Sequence, residues 1–374
     1  MRRLIHHIYE LPDWPEFYWD EQQLSSLLSS VRHRQGKVLG KMEGLGFSIQ
    51  TEATLYSLTT EVVKSGEIEG ESLNVDQVRS SIARKLGLKI AGLVPADRHI
   101  DGVVEMMLDA TQHYRAPLTA KRLFAWHAAM FPAGTSGLHK IVVGKWRNNP
   151  KEDPMLVISG AMGKEKVHFR APDAEVLKSE MKKFIDWFNK RPDSYRNMDP
   201  VLKAAVAHLW FVTVHPFDDG NGRIARAIAD MQLARADESA QRFYSMSAQI
   251  RKERGDYYDM LERTQKGTLD ITKWIEWFLH CFDRALMATD ESLAVVLNKA
   301  RFWDKHAKTV FNSRQVLLLN KLLDGFVGKL TSSKWAKIAK CSQDTALRDI
   351  QDLVTRRVLQ KEAAGGRSTS YVLA

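Results

Sequence analysis

Twelve consecutive residues, His215 to Arg226 in HPFDDGNGRIAR, hold a histidine, two aspartates, two glycines and two arginines. Each type suits one part of a phosphate-transfer reaction. A histidine titrates near neutrality and can accept a proton from an attacking hydroxyl, the role open to His215. A carboxylate such as Asp219 suits Mg2+, a hard cation that keeps part of its water and bridges phosphate oxygens. Gly220 and Gly222 permit a tight turn whose backbone N–H groups converge on an anion. A helix starting just after that turn points its positive end at the same spot. Arg223 and Arg226 are three apart, so on the first turn of that helix both reach toward bound phosphates. Phe217 reads as an apolar anchor for the loop. A glycine-rich turn between helices is common, and a single histidine beside one is usually structural. It is the conjunction of base, carboxylate, nest and paired arginines that points to chemistry.

Holding such a loop takes a helix on each side. The apolar segment 200–214 predicts the first, and the residues from Arg223 to 236 predict the second. Apolar spacings near three and four also predict helices over 20–35, 51–66, 97–115, 118–130 and 173–190, the last capped by Asp173. An aromatic-rich helix follows over 270–285. Residues 140–170 alternate or run β-branched in IVVGKW, MLVISG and KVHF, with Gly160 and Gly163 between the last two runs, which predicts a β-hairpin. A charged, less apolar stretch over 285–310 marks a boundary.

The chain has 374 residues, enough for two or three domains, and its 44% hydrophobic and 27% charged content is that of a globular protein. No apolar run approaches the length of a bilayer span, and the basic N-terminus lacks the apolar region of a signal peptide. Cys281 and Cys341 form neither a disulfide framework nor metal-ligand spacing. A cytoplasmic protein without a membrane partner is expected. The net charge is +10, but residues 301–374 hold 14 Lys and Arg against 6 Asp and Glu, so the basic character belongs to the tail.

HPFDDGNGRIAR matches every position of the Fic family signature HxFx(D/E)GNGRxxR, and the chain resembles that family. The resemblance implies a mainly α fold, with a helical Fic core and a β-hairpin flap. It also implies transfer of AMP from ATP to a Ser, Thr or Tyr hydroxyl of a target protein. By the match His215 is the general base and Asp219 the Mg2+ ligand. Gly220, Asn221 and Gly222 line the phosphate nest, and Arg223 and Arg226 take the β- and γ-phosphates. Residues 155–170 (MLVISGAMGKEKVHF) stand where the flap that binds the target strand is expected. Tyr257 and Tyr258 offer a stacking wall for adenine. Many Fic proteins also carry an inhibitory helix with the pattern (S/T)xxxE(G/N). Ser65, Glu69 and Gly70 fit it, with Glu69 expected on Arg226, while Glu67 is out of register. The same residues would also suit a helix end closed by Gly70. Residues 1–85 resemble the helical module that precedes some Fic cores, which sets the expected domains at 1–85, 86–290 and 300–374.

The tail reads as a winged helix-turn-helix. TSSKWAKIAK supplies one helix, Cys341-Ser342 the turn, and QDTALRDIQDLVTRR the second helix with Ala346, Ile350, Leu353 and Val354 inward. VLQKEAAGGRSTSYVL forms the wing, with Gly365 and Gly366 at its tip. Lys334, Lys337, Lys340, Gln343, Arg348 and Arg367 are the candidate DNA contacts. The competing reading is a protein-interaction or dimerisation module, which would make a homodimer. Two rival functions stand beside AMP transfer: removal of AMP by the same fold, and a DNA-binding transcription regulator with a Fic sensor core.

Overall fold

The residues between Pro200 and Val214 are apolar apart from Lys203, His208 and Thr213, and a helix apolar nearly all round must be covered on all sides. The protein is described by a computed structural model over residues 7–88, 92–159, 166–190, 198–326, 328–362 and 369–374. Its fold is mainly helical. The helices are α1 (Glu21–Glu43), α2 (Phe47–Ile68), α3 (Val75–Lys85), α4 (Arg98–Gln112), α5 (Ala120–Met130), α6 (Leu177–Asn189), α7 (Pro200–Val214), α8 (Asn221–Asp237), α9 (Met246–Lys252), α10 (Arg254–Gln265), α11 (Thr272–Met287), α12 (Thr289–Lys305), α13 (Ser313–Leu323), α14 (Ser332–Ala339) and α15 (Gln343–Thr355). Among the described residues six short strands form three antiparallel pairs: β1 (Thr135–Ser136) with β2 (His139–Lys140), β3 (Leu156–Ser159) with β4 (Lys166–Arg170), and β5 (Leu359–Lys361) with β6 (Tyr371–Leu373).

Contacts divide the chain into two compact units, Met1–Lys85 with Pro95–Asp290, and Leu86–Val94 with Glu291–Ala374. In the first, α7 and α8 pack side by side at the centre, α4, α5 and α2 cover α8, and α6 and α11 cover α7. The described residues 7–85 belong to this packing, since α1 lies along α11 and α2 along α9. In the second unit, α13, α14, α15 and the β5–β6 pair enclose Leu318, Leu319, Trp335, Ala346, Ile350, Leu353 and Leu359, with Val354 partly buried against them. Lys340 ends α14 in a left-handed conformation and Ser342 caps α15 through its side chain. Gly365, Gly366 and Arg367 lie outside the described residues, as do Gly160 and Gly163.

Three local expectations are corrected. Asp173 does not cap a helix through its side chain: a 3-10 turn, Ala174–Val176, precedes α6, and the Asp173 carboxylate lies 3.4 Å from Arg170 instead. IVVGKW is not a strand. Two of its backbone donors go to side chains, Val142 to Asp218 (2.7 Å) and Gly144 to His127 (3.1 Å), so they do not feed a ladder. And α8 begins at Asn221, two residues before Arg223, because the Asn221 amide closes on both backbone groups of Phe217 (3.0 and 2.7 Å).

Arg147 ties the loop between α7 and α8 to the hairpin. Its side chain is 2% exposed. It donates to the His215 carbonyl (2.8 Å), to Asn149 (2.7 Å) and to the Pro172 carbonyl just beyond β4. Its own N–H reaches the Pro216 carbonyl (2.9 Å). Burial lowers its pKa to about 10, so it stays charged at neutral pH and these are charge-assisted bonds. Arg147→Ala leaves buried acceptors unpaired and should cost about 2–4 kcal/mol in urea unfolding. A loss below about 0.5 kcal/mol, the range of ordinary surface changes, would contradict this role.

Candidate active site

His215 ends α7 in the left-handed region (φ 50°, ψ 58°), which turns the chain sharply and half-buries the ring. Its Nδ1 lies 3.1 Å from the Val212 carbonyl, which only accepts, so Nδ1 carries the proton. Burial lowers the pKa to about 4, outweighing that hydrogen bond, so the ring is neutral at physiological pH. The neutral tautomer then presents Nε2 as a free lone pair, the form a general base needs. Phe217 is fully buried and stacks on His127 at 4.3 Å, the anchor its apolar character suggested. Gly220 caps α8 at φ 80°, where a Cβ would meet the Met130 methyl at 2.9 Å and the Phe131 ring at 3.0 Å.

The first turn of α8 has N–H groups with no partner in the helix and the positive end of its dipole. Glu69 fills that place. Its Oε1 lies 2.1 Å from where a Cβ on Gly222 would stand, so any side chain there would push the carboxylate out of this position. The same oxygen is 2.7 Å from Arg226, whose guanidinium also donates to the Ser65 hydroxyl (2.9 Å) and carbonyl (3.0 Å). Arg226 is 2% exposed. Burial opposes its charge, but Glu69 more than compensates and the pKa is raised. Glu67, out of register in the sequence, pairs with Lys64 and Arg251 instead.

The end of α2 fixes this carboxylate. Gly70 has φ 83°, its N–H bonds the Glu67 carbonyl (3.2 Å), and the Glu71 N–H bonds the Gly66 carbonyl (3.0 Å). These are the two bonds of a Schellman cap. The helix end closed by Gly70 and the Glu69–Arg226 pair are therefore one arrangement. From α10, Arg254 (2.7 Å) and the Tyr258 hydroxyl (3.2 Å) hold the Ile68 carbonyl, and that hydroxyl also reaches Glu69 Oε2 at 3.4 Å.

Asp219 is half-exposed, with one oxygen on the Ser136 hydroxyl from β1 and the other on the Gly220 N–H (2.5 Å). Arg223 lies over the Phe131 ring at 5.1 Å and pairs with Glu71 at 2.8 Å, and its NH2 is 4.0 Å from Asp219. Glu71 in turn meets His99. Among the described residues no group of three or more His, Cys, Asp or Glu could hold a metal by itself.

The structure brings together His215, Asp219, Gly220, Asn221, Gly222, Arg223, Arg226, Ser65, Glu69 and Gly70. The two tyrosines part company. Tyr257 is 2% exposed and its hydroxyl bonds His208 at 2.9 Å, so it is core and offers no face to adenine. Tyr258 remains at the site, bonded to the α2 end. Glu71, His99, Arg147 and Ser136 were not legible as site residues. Glu71 follows Gly70 directly, and the Schellman geometry that aims it was the available signal. In the other unit Lys337, Lys340, Gln343 and Arg348 are all exposed.

Residues 117–233 match the Fic/DOC family, and residues 7–88 match a domain of unknown function, DUF4172. The chain is similar to a protein of Culex quinquefasciatus named protein adenylyltransferase Fic, 25% identical over 296 residues, 75% of this chain and 53% of that one. It is similar also to one of the same name in Nematostella vectensis, 34% identical over 31% of this chain and 25% of that one. It thus spans about half the length of the first relative and a quarter of the second. The crystal structure of a Fic family protein from Desulfovibrio desulfuricans has the same fold, with a TM-score of 0.52 at 17% identity over 96% of this chain and 97% of that one. With the full signature at 215–226 on the loop between α7 and α8, the chain carries a Fic/DOC family domain.

Proposed function

We propose that the protein transfers AMP from ATP to a serine, threonine or tyrosine hydroxyl of a target protein, and that Glu69 holds it back. The observation that carries this reading is the neutral His215, with its free Nε2, beside a helix N-terminus flanked by two buried arginines. The name borne by the relatives agrees with it. His215 Nε2 takes the proton of the target hydroxyl as its oxygen attacks the α-phosphorus. The bond from the α-phosphorus to the bridging oxygen breaks, and pyrophosphate leaves. Arg223 and Arg226 receive the β- and γ-phosphate charge, and the first turn of α8 supplies N–H donors. Asp219 fits Mg2+, since its carboxylate is half-exposed and a single carboxylate with phosphate oxygens and water is a usual Mg2+ set. Bound there, the cation would neutralise phosphate charge. Tyr258 lines the nucleotide side.

Glu69 occupies the place of a phosphate oxygen and the γ-phosphate's arginine, so its removal should free both. With labelled ATP and Mg2+, Glu69→Gly should raise labelling of the protein and of lysate proteins by roughly tenfold or more, the effect of about 1.4 kcal/mol. His215→Ala should reduce that labelling by about 10²–10⁴. Unchanged labelling in Glu69→Gly would sink the restraint, and labelling that survives in His215→Ala would sink the site. Loss of label from a labelled target on adding wild type would favour the reverse reaction.

The base is lost when His215 gains a proton, and its pKa is lowered to about 4. Activity of Glu69→Gly should therefore hold steady as pH falls from 7 to about 5.5 and drop only below about 5. A half-maximal point near 6.5 would contradict it.

We also propose that residues 300–374 form a winged helix-turn-helix that contacts DNA. The order α14, turn, α15 and the β5–β6 pair supports this, as do the exposed Lys337, Lys340, Gln343 and Arg348. A gel shift that weakens with rising salt, and weakens further in Lys340→Glu with Arg348→Glu, is expected. No shift at low salt would leave the dimerisation reading. The free cysteines, one buried and one half-buried, are consistent with a reducing cytoplasm. No described helix is long and apolar enough to cross a membrane.

A further inference from the structure

The connection after α2 delivers a second carboxylate to the motif, and its surroundings differ from those of Glu69. His99 Nδ1 lies 2.7 Å from the Met130 carbonyl, and its Nε2 meets Glu71 Oε1. Both partners are acceptors, so each ring nitrogen must donate and the ring is an imidazolium. The Glu71 contact raises the His99 pKa accordingly. Glu71 Oε2 accepts from Arg223 NH1 at 2.8 Å. One unbroken relay thus runs from the α5 carbonyl through His99 and Glu71 to Arg223.

This relay orients the arginine without consuming it. Glu71 takes only one terminal nitrogen. Arg223 Nε is buried with no hydrogen-bond partner, and NH2 stands 4.0 Å from Asp219. The guanidinium carbon lies over the Phe131 ring, 5.1 Å from its centre, a cation–π contact that further restrains it. The charges agree: imidazolium, carboxylate and guanidinium sum to one positive charge, so the site stays attractive to phosphate with Glu71 in place. Glu69, by contrast, stands over the helix N-terminus itself.

We propose that Glu71 is a positioning residue that aims Arg223 at the nucleotide phosphates, so that two carboxylates two positions apart have opposite effects. Glu69 restrains the site and Glu71 builds it. The proposal rests on the AMP-transfer reading. Two carboxylates each bonded to a motif arginine would otherwise be read alike, and substitution separates them.

The test is made in full-length Glu69→Gly, with ATP concentration varied and labelling rate measured. Adding Glu71→Gln should raise KM for ATP roughly tenfold, with kcat reduced less, as expected when an orienting contact to a phosphate-binding group is lost. His99→Ala should move KM in the same direction. Equal or faster labelling in Glu69→Gly/Glu71→Gln would overturn the proposal. So would a fall in kcat with KM unchanged, because KM does not depend on how much of the enzyme is folded. If Glu69→Gly with Glu71 intact gives no label, the transfer reading fails. ATP affinity by calorimetry then decides Glu71, and an unchanged Kd in Glu69→Gly/Glu71→Gln refutes its role.

Discussion

A guanidinium cannot be buried without a partner, and Arg226 is almost wholly buried on the most enclosed helix pair of the fold. That requirement organises what surrounds it. The charge is met by Glu69 and by two oxygens of Ser65, all from the last turn of α2 or its cap. Removing one partner of such a pair leaves a buried charge short of compensation, which favours binding of another anion where Glu69 is absent. A nucleotide's terminal phosphate is an anion of the right kind. On the proposed reading, the contact that completes the structure is also the one a substrate would replace.

Such an exchange would be local, because α2 is held independently of Glu69. Its cap is closed by backbone bonds to Gly66 and Glu67, and its last carbonyl is held by Arg254 and Tyr258. On the proposed reading, the Glu69 side chain swings away while Arg226 keeps its bonds to the Ser65 hydroxyl and carbonyl. A side-chain rotation is far less costly than moving a helix packed on α3, α4, α8 and α9. Arg223 is arranged differently, with its carboxylate pinned from behind by His99, so it keeps its orientation whichever anion sits on Arg226.

Much of this was legible in the sequence because it is local. The motif puts His215, Asp219 and both arginines on one turn and the helix that follows, and the pattern Ser65 to Gly70 needs only helical spacing to bring a hydroxyl and a carboxylate to one side. The helices α4, α5 and α7 lie close to where the apolar pattern puts them, while α1 runs on to Glu43, eight residues past its expected end, and α2 starts four residues early. Partnerships made across the fold were not legible. Arg147 looks like any arginine in a basic stretch, and nothing near it reveals that it closes on a loop 68 residues away. His99 and Glu71 are 28 residues apart and meet only because α4 returns past the end of α2. Tyr257 and Tyr258 are adjacent, yet helix geometry sends one ring into the core and the other to the site, a choice set by which face of α10 is covered. The IVVGKW run has strand propensity, but side chains claim its donors.

If Glu69 and the terminal phosphate compete for Arg226, the competition must be felt by ATP and not by a nucleotide that lacks that phosphate. Calorimetric affinities of ATP and ADP for wild type and Glu69→Gly, each with Mg2+, measure this directly. The account predicts that Glu69→Gly tightens ATP by roughly tenfold or more and leaves ADP within about threefold, the difference being the coupling between the two anions. Equal tightening of both nucleotides, or no change in either, would contradict it.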